Sequence, residues 1–305
     1  MSASGESLGK MTLRRLLVAT DFSPTARLAV WRAGQLAKQN NAYLHLVHAR
    51  PDWNQFAQRG AASPEHYRAI TEECENALRD ELAYLETTFG LHARGETQVG
   101  PASQVLRSAM AQVEPHLIVA GARGERAEPT MIPPLGGTAL KLLTYADRPV
   151  LMVRNSGTGA YKTAVAAVEH PSAAARDLVR WACTLLGEGD CYVVHAFDAP
   201  YSARMRRHGV AEEAVRACSD SVRAEAKEFI DQMFDLEDSA EPRLHAHLVC
   251  GEPVSAVLNE ASRFAPELIV VGKHGHPPRE QLLRPLGSVA LRIAYHATTD
   301  VLMVP

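Results

Sequence analysis

The sequence lacks an excess of charge of either sign. Its 32 Lys and Arg against 35 Asp and Glu leave a formal net charge of −3 over 305 residues. Residues 1–154 carry 17 basic and 15 acidic side chains, and the remainder carries 15 and 20, so neither half is strongly charged. Nucleic acid and anionic membranes attract clusters of basic side chains. We therefore expect neither nucleic acid nor membrane among the partners of this protein.

Cysteine is scarce, and long apolar runs are missing. The five cysteines are odd in number and include no C-x-x-C pair, which argues against a disulfide framework or a zinc ribbon. No run approaches the roughly 20 apolar residues of a membrane-spanning helix. The first residues also lack the apolar centre of a signal peptide. We therefore predict buried free thiols and a cytoplasmic location.

Familiar catalytic and phosphate-binding motifs are missing as well. The G-x-S-x-G pattern at residues 5–9 has no strand before it, so it cannot form the strand-to-helix turn that presents a nucleophile. There is no G-x-x-x-x-G-K-[ST], and G-A-R-G at residues 121–124 is not G-x-G-x-x-G. His274 and His276 alternate on a proline-rich segment, which is a weak pattern for a metal site with Cys250 or His247. We predict no catalytic residue and no metal ligand.

The chain does contain a repeat, because the segment 117–153 recurs at 268–304. Three glycines keep the same register, each offset by 151 positions: Gly121 and Gly272, Gly124 and Gly275, Gly136 and Gly287. Such self-similarity indicates two copies of one unit, and a chain that is 46% hydrophobic has room for two cores. We predict a disordered tail at 1–10, a first domain at 11–154, a linker at 155–159 and a second domain at 160–305.

Apolar runs alternate with helical patterns along each copy. The predicted strands are 13–20, 42–49, 96–99, 117–120 and 149–153, followed by 163–168, 191–196, 244–249, 268–271 and 301–304. Helices are predicted between them, starting near residues 24, 63, 101, 136, 172, 212, 253 and 287. Nearly continuous apolar strands that alternate with helices indicate a parallel, doubly wound sheet of five strands in each copy.

Three polar features of the first copy fall where a doubly wound sheet binds ligands, beyond the carboxyl ends of its strands. Asp21 follows the first strand, Gly121 and Gly124 follow the fourth, and residues 136–138 open a helix. Glycines let a backbone approach an anion, a helix N-terminus favours phosphate, and a carboxylate can accept from adenine or ribose. The alternative is structural: the glycines only make a turn, and Asp21 and Ser23 only start a helix.

Motifs spread in order over both copies resemble the universal stress protein family. In the first copy they are VATDFS at 18–23, LVH at 46–48, GPA at 100–102, LIVAGARG at 117–124, LGGT at 135–138 and PVLMV at 149–153. The resemblance covers nearly all of both halves and implies a tandem protein. It further implies two adenine nucleotide alpha hydrolase-like domains, an internal pseudo-dimer formed through the fifth strands, and ATP or AMP as the ligand of some members.

The resemblance assigns site residues in both halves. Asp21 would contact adenine or ribose, Ala49 would line the base pocket, and the phosphates would be held by Gly121, Gly124, Gly136, Gly137 and Thr138. The matching positions of the second half are Glu169, Gly272, Gly275, Gly287, Ser288 and Val289. Both loops, 125–135 and 276–286, are two residues longer than in the family's nucleotide-binding pattern. The first half has the better base-binding end, and the second, with Lys273 and His274, has the better phosphate-binding end.

We therefore expect a non-enzymatic, cytoplasmic stress-response protein that is regulated by ATP or AMP, with Mg²⁺ accompanying ATP. Its protein partner is unidentified, and further homo-oligomerisation of the pseudo-dimer stays open. Two alternatives come from other functional classes. One is a slow ATPase, and the other is a protein-interaction module that has lost nucleotide binding.

Overall fold

A computed structural model describes residues 9–52, 63–123, 135–154, 159–169, 172–197, 202–233, 243–274 and 286–305. The chain divides into two compact units, one of residues 12–156 and the other of residues 157–304 with residues 9–11. Each unit is an α/β domain whose paired strands are parallel. The predicted fold class and its duplication are confirmed.

The first domain consists of strands and helices that alternate along the chain. They are β1 Arg15–Thr20, α1 Pro24–Asn40, β2 Tyr43–Arg50, α2 Pro64–Phe89, β3 Arg94–Val99, α3 Ala102–Val113, β4 Leu117–Gly121, α4 Gly137–Tyr145 and β5 Val150–Val153. The strand order is β3-β2-β1-β4-β5. The chain therefore builds the sheet outward from β1 on one side and then returns to add β4 and β5 on the other.

Among the described residues, the second domain repeats this order and adds one short helix. Its elements are β6 Thr163–Val168, α5 Ala173–Leu186, β7 Asp190–Phe197, α6 Ser202–Arg207, α7 Glu212–Met233, β8 Arg243–Cys250, α8 Pro253–Phe264, β9 Leu268–Gly272, α9 Ser288–His296 and β10 Asp300–Val304. The strand order is β8-β7-β6-β9-β10. The six-residue α6 was not predicted, because its sequence SARMRR has no apolar face.

The core of each domain surrounds its fourth strand. The first four residues of β4 and of β9 are all buried. Helices that connect parallel strands cover both faces of the sheet, so a central strand must be apolar on both sides. The continuous apolar runs LIVA and LIVV meet that requirement, which is why these strands could be identified from sequence.

Helix α1 shows how local sequence sets an element's ends and its packing face. Ser23 caps the helix by accepting a hydrogen bond from Ala26 N at 3.2 Å, and Pro24 occupies the first turn. The six apolar residues predicted to form its inner face are all buried: Ala26, Ala29, Val30, Ala33, Leu36 and Ala37. Asn41 ends the helix in the left-handed region with φ 48°.

Helix α2 differs in part from its predicted packing. Its apolar pattern predicts an inner face of Ile70, Leu78, Leu82 and Leu85. The buried residues are instead Leu78, Glu81 and Leu85, and Ile70 is partly buried. Leu82 is only partly buried. Spacings of three and four residues occur in both sets, so the helical period does not distinguish them. Packing against the rest of the domain buries Glu81, and a carboxyl group therefore lies inside the domain.

The described N-terminal residues contact the second domain. Met11 N donates to Thr184 Oγ1 at 2.7 Å, and Arg180 Nε donates to Gly9 O at 2.8 Å, so this segment lies along the end of α5. The predicted tail 1–10 therefore has two described members, Gly9 and Lys10, that make contacts. The other eight lie outside the described residues.

All five cysteines are free, but the burial that we expected for free thiols is found for only two of the five. Cys183 and Cys191 are buried, whereas Cys218 and Cys250 are exposed. Within the described part of the chain, every helix is too short or too polar to cross a membrane.

Tyr161 anchors the start of the second domain. Its ring is 1% exposed, and its hydroxyl donates to Asp300 Oδ2 at 2.7 Å. Asp300, at the start of β10, is also 1% exposed. A buried carboxylate depends strongly on each donor that it has.

We expect Tyr161→Phe to lower the free energy of unfolding by about 1–3 kcal/mol, since it removes a donor from a buried carboxyl oxygen. Urea unfolding followed by circular dichroism would measure the loss. The matched control is Tyr43→Phe, because Tyr43 is 37% exposed and its hydroxyl reaches only the partly buried His45 ring. Equal losses in both variants would contradict the anchoring role.

Candidate functional site

The candidate site of the first domain lies where the strand order reverses, between β1 and β4. Ala19 of β1 pairs with Ala120 of β4, and Thr20 pairs with His48 of β2. The residues that follow these pairs are Asp21, Ala49 and Gly121, so three predicted site residues come together at the carboxyl ends of adjacent strands. Ligands bind doubly wound sheets at such a switch point.

Hydrogen bonds bring the start of α4 to the same end of the sheet. Gly136 N donates to Ala122 O at 2.9 Å, and Ala122 N donates to Val153 O at 2.9 Å. Thr25 Oγ1 of α1 donates to Arg123 O at 3.0 Å. The residues just after β4 are thus fixed to β5, to the start of α1 and to the start of α4.

The N-terminus of α4 has no side-chain cap. Gly136 is the N-cap residue and makes no side-chain hydrogen bond, and the first turn holds no acidic residue. Gly137 and Thr138 are exposed. The first amides of a helix have no partner inside the helix and carry a partial positive charge, so this end can receive an anion.

Gly121 and Gly137 differ in how much space the structure leaves for a side chain. A Cβ at Gly121 would stand 3.1 Å from both Thr25 O and Arg123 O, so backbone packing requires glycine there. A Cβ at Gly137 would meet no atom within 4 Å, so packing does not require glycine at that position. Packing alone therefore explains the glycine at position 121, without a role in ligand binding. At position 137 the glycine leaves the backbone open to solvent.

The turn from β1 to α1 is held in an uncommon conformation. Phe22 has φ 61°, which costs a residue with a side chain about 1–2 kcal/mol. Its ring packs on His48 with 4.4 Å between the ring centroids. His48 Nδ1 donates to Thr20 O at 2.9 Å, and burial lowers the pKa of His48, which keeps its ring neutral. His48 therefore serves to fix the turn.

Asp21 is exposed at the tip of this turn. Its Oδ1 accepts a hydrogen bond from Ser23 N at 3.1 Å. Ser23 in turn caps α1. Asp21 and Ser23 therefore do help to start this helix, which is the structural alternative that the sequence left open. A carboxylate has several acceptor positions, so the bond from Ser23 N leaves Asp21 able to accept from a ligand donor as well.

Sequence reasoning missed Glu81, which lies next to this turn. Glu81 is 7% exposed, and its Oε1 accepts a hydrogen bond from Thr20 Oγ1 at 3.2 Å. The pKa of Glu81 is raised to about 7, mainly by desolvation on burial and to a smaller extent by the neighbouring Asp21, against the lowering effects of Thr20 and Arg27. The signal in the sequence was a charged residue at helical spacing between two core leucines.

The second domain reproduces the geometry with different side chains. His195 Nδ1 bonds Val168 O at 3.0 Å, as His48 bonds Thr20 O, and the exposed Glu169 follows at the position of Asp21. Gly287 N donates to Lys273 O at 2.9 Å, which places the start of α9 beside β9. Ser288 and Val289 are exposed there. Lys273, 6% exposed, stands where the first domain has Ala122.

Several predicted residues lie outside the described part of the chain. They are Gly124, Gly275 and the loop residues that follow each of them. The described residues contain no group of three or more His, Cys, Asp or Glu side chains that could hold a metal ion.

Two doubly wound domains, each with an uncapped helix N-terminus and a carboxylate at its switch point, define a tandem α/β protein. A family model described as "Universal stress protein family" matches residues 12–154 and again residues 160–305. The chain belongs to the universal stress protein family and contains two of its domains.

Relatives match over almost the whole chain. A universal stress protein of Mycolicibacterium smegmatis is 25% identical over 95% of this chain and 96% of its own length. A solved universal stress protein from Archaeoglobus fulgidus has a TM-score of 0.64 at 16% identity, covering 95% of this chain and 97% of that one. A putative universal stress protein from Pseudomonas aeruginosa has a TM-score of 0.59 at 18% identity, covering 96% and 93%. These structures are similar in fold.

The two matching glycines should respond differently to the same substitution. We expect Gly121→Ala to lower the free energy of unfolding by about 1–3 kcal/mol, because its methyl group would press on two backbone oxygens. Gly272→Ala should leave stability unchanged or slightly higher, since the nearest atom to a Cβ there is 3.7 Å away. Urea unfolding of both variants provides the comparison, and an equal response would refute the packing difference.

Glu81 should make stability fall as pH rises. Its pKa is raised from 4.5 to about 7 in the folded protein, so its stabilising contribution is complete below pH 4.5 and disappears by about pH 7. The free energy of unfolding should lose about 3 kcal/mol across that window. Glu81→Gln should remove this slope in urea unfolding measured at both ends, whereas Glu75→Gln, at an exposed site on the same helix, should keep it.

Proposed function

We propose that this protein is a non-enzymatic stress-response protein whose state is set by an adenine nucleotide bound at the switch point of its first domain. The observation that carries the proposal is the convergence of Asp21, Ala49 and Gly121 beside the open N-terminus of α4. An acceptor for the nucleoside and a donor end for phosphate thus lie at one edge of the sheet.

The base and ribose would bind at the β1 and β2 ends of this edge. Asp21 supplies a carboxylate at the tip of the turn, and Ala49 supplies a small side chain beside it on β2. A small residue leaves room for a flat base, while a carboxylate accepts hydrogen bonds from an exocyclic amino group or a hydroxyl. Neutral His48 behind the turn adds no charge of its own.

The phosphates would bind at the start of α4. Gly137 and Thr138 expose backbone amides and a hydroxyl, and the described first turn contains no acidic side chain that would repel an anion. Gly124 belongs to the same proposed set. Mg²⁺ would accompany ATP by binding to its phosphate oxygens.

The second domain has the corresponding set Glu169, Gly272, Gly275, Gly287, Ser288 and Val289. Its Glu169 is one methylene longer than Asp21, and the buried Lys273 brings a cation next to the start of α9. We place the stronger nucleoside contact in the first domain and the stronger phosphate contact in the second.

The absence of turnover is part of the proposal. The hydroxyl of Ser23, the serine nearest to Asp21 in sequence, already caps α1 by accepting from Ala26 N and also contacts Thr25 Oγ1 at 3.2 Å. A serine in that role is not paired with a general base. The cytoplasmic location and the pairing of fifth strands in a pseudo-dimer stay predictions.

Calorimetric titration of the full chain with AMP, with ATP and with adenosine tests the ligand and its orientation. Gly137→Glu places a carboxylate at the first position of α4, where a side chain has open space and an acidic residue suits the helix dipole. We expect this variant to bind AMP at least about tenfold more weakly, a change of about 1.4 kcal/mol. Adenosine binding should not change, because adenosine has no phosphate.

Two matched variants complete the experiment. Asp21→Ala should weaken AMP and adenosine alike, and Ser288→Glu should act only on the phosphate end of the second domain. The proposal fails if neither AMP nor ATP binds saturably with or without Mg²⁺. Phosphate release from ATP that disappears in Asp21→Ala would instead establish the slow ATPase.

A further inference from the structure

Glu81 is a buried acid that the proposed binding role does not use. It occupies the inner face of α2 between Leu78 and Leu85. Its Oε2 atom is buried and has no hydrogen-bond partner among the described residues, while Oε1 holds the hydroxyl of Thr20. A charged carboxylate with an unsatisfied buried oxygen is costly. The fold therefore favours the neutral acid and has to adjust when the proton leaves.

A continuous hydrogen-bond path joins this acid to the turn that carries Asp21. The Thr20 hydroxyl donates to Glu81 Oε1 and accepts from Phe22 N at 3.1 Å. The next amide, Ser23 N, donates to Asp21 Oδ1 at 3.1 Å. A hydroxyl that donates to a charged acceptor becomes a stronger acceptor itself. The charge of Glu81 is thus transmitted to the Phe22 amide through one side chain.

The surroundings allow this acid to change its charge near neutral pH. Burial is the main cause that raises the pKa of Glu81 to about 7, Asp21 adds to it, and Thr20 and Arg27 oppose it. The neighbouring strands contribute other titratable or charged groups that are already engaged. These are His48, bonded to Thr20 O, Arg50, bonded to Thr71 of α2, and Glu96, bonded to His45.

The second domain lacks the connecting hydroxyl. Val168 pairs with His195 as Thr20 pairs with His48, and each histidine bonds the carbonyl of its partner. The backbone contact is therefore shared, but valine can neither donate to an acid nor accept from the turn amide. The hydrogen-bond path from a buried carboxyl group through Thr20 to the turn after β1 therefore has no counterpart through Val168 in the second domain.

We propose that Glu81 is a proton-controlled positioning residue, which sets the hydrogen bonding of the Asp21 turn through Thr20. When Glu81 is neutral, Asp21 supplies the negative charge next to the turn, and Phe22 keeps its φ of 61°. With Glu81 ionised, a second negative charge adjoins Asp21, and the Thr20 bond to the Phe22 amide strengthens. An anionic ligand at this edge then binds less well, and this last step alone rests on the proposed function.

A ligand-free measurement tests the positioning role. Isotope-edited NMR of the full chain between about pH 5.5 and 8.5 would follow the Glu81 carboxyl carbon together with the amides of Phe22 and Ser23. We expect all three signals to titrate with one midpoint, near the value of about 7 that burial gives Glu81. Turn amides that stay constant while Glu81 titrates would overturn the proposal, as would a Glu81 midpoint close to 4.5.

Two variants separate the path from general effects of pH. In Glu81→Gln the turn amides should lose this titration. In Thr20→Val, which installs the residue that the second domain has naturally, Glu81 should still titrate while the Phe22 amide no longer follows it. A Phe22 amide that still followed Glu81 in Thr20→Val would show that the path does not pass through Thr20.

The ligand consequence is measured separately with AMP. The ratio of AMP affinities at pH 6 and pH 8 in the wild type, divided by the same ratio in Glu81→Gln, removes the titration of AMP itself. We expect this quotient to reach about fivefold, the lower end of typical coupling between sites. A quotient of one would refute the claim that ionisation of Glu81 weakens the binding of an anionic ligand. Failure of AMP to bind at any pH would refute the proposed function and leave the NMR result on the turn standing.

Discussion

Each domain depends on the parallel pairing of a first strand with a fourth strand that is buried on both faces. Parallel strands cannot be joined by a tight hairpin, so helices must cross over and cover the sheet. That cover excludes water from β4 and β9 and leaves only their carboxyl ends accessible. The same constraint that makes the core apolar therefore collects the polar turn residues, Asp21 among them, at one edge.

The two copies keep this backbone arrangement and differ in the polar groups around it. The histidine bond to the strand-one carbonyl occurs in both, at 2.9 and 3.0 Å. The first copy places Thr20 and Glu81 beneath its turn and the small Ala122 after β4, whereas the second has Val168 and the buried Lys273. The first copy thus holds a buried acid near its switch point and the second a buried base. The backbone geometry is thus shared by the two copies, while the buried ionisable group near each switch point differs.

Much of the fold could be predicted because its signals are local and repeated. The strand at 163–168 and the helix at 253–264 were predicted with the bounds that the structure has. Prediction was wrong where tertiary packing decides which helical residue is buried, as for Glu81 in place of Leu82. It also missed α6, whose sequence has no apolar periodicity. Asp21 and Gly121 could be grouped in advance because each follows a predicted parallel strand, and the family resemblance added Ala49. The Thr20 path could not be predicted, since it joins residues 61 positions apart.

One hydrogen bond, from the N-cap residue of α4 or α9 to the first residue beyond β4 or β9, bears on the length of the loop between them. It is 2.9 Å long in both copies, between Gly136 and Ala122 and between Gly287 and Lys273. Because it fastens both ends of the intervening loop, two added residues change the closure entropy by only about 0.2 kcal/mol or less. Loop length is therefore nearly neutral for folding. Insertions at this place can be sampled freely, and each half of a duplicated chain can acquire its own ligand specificity without losing its stability.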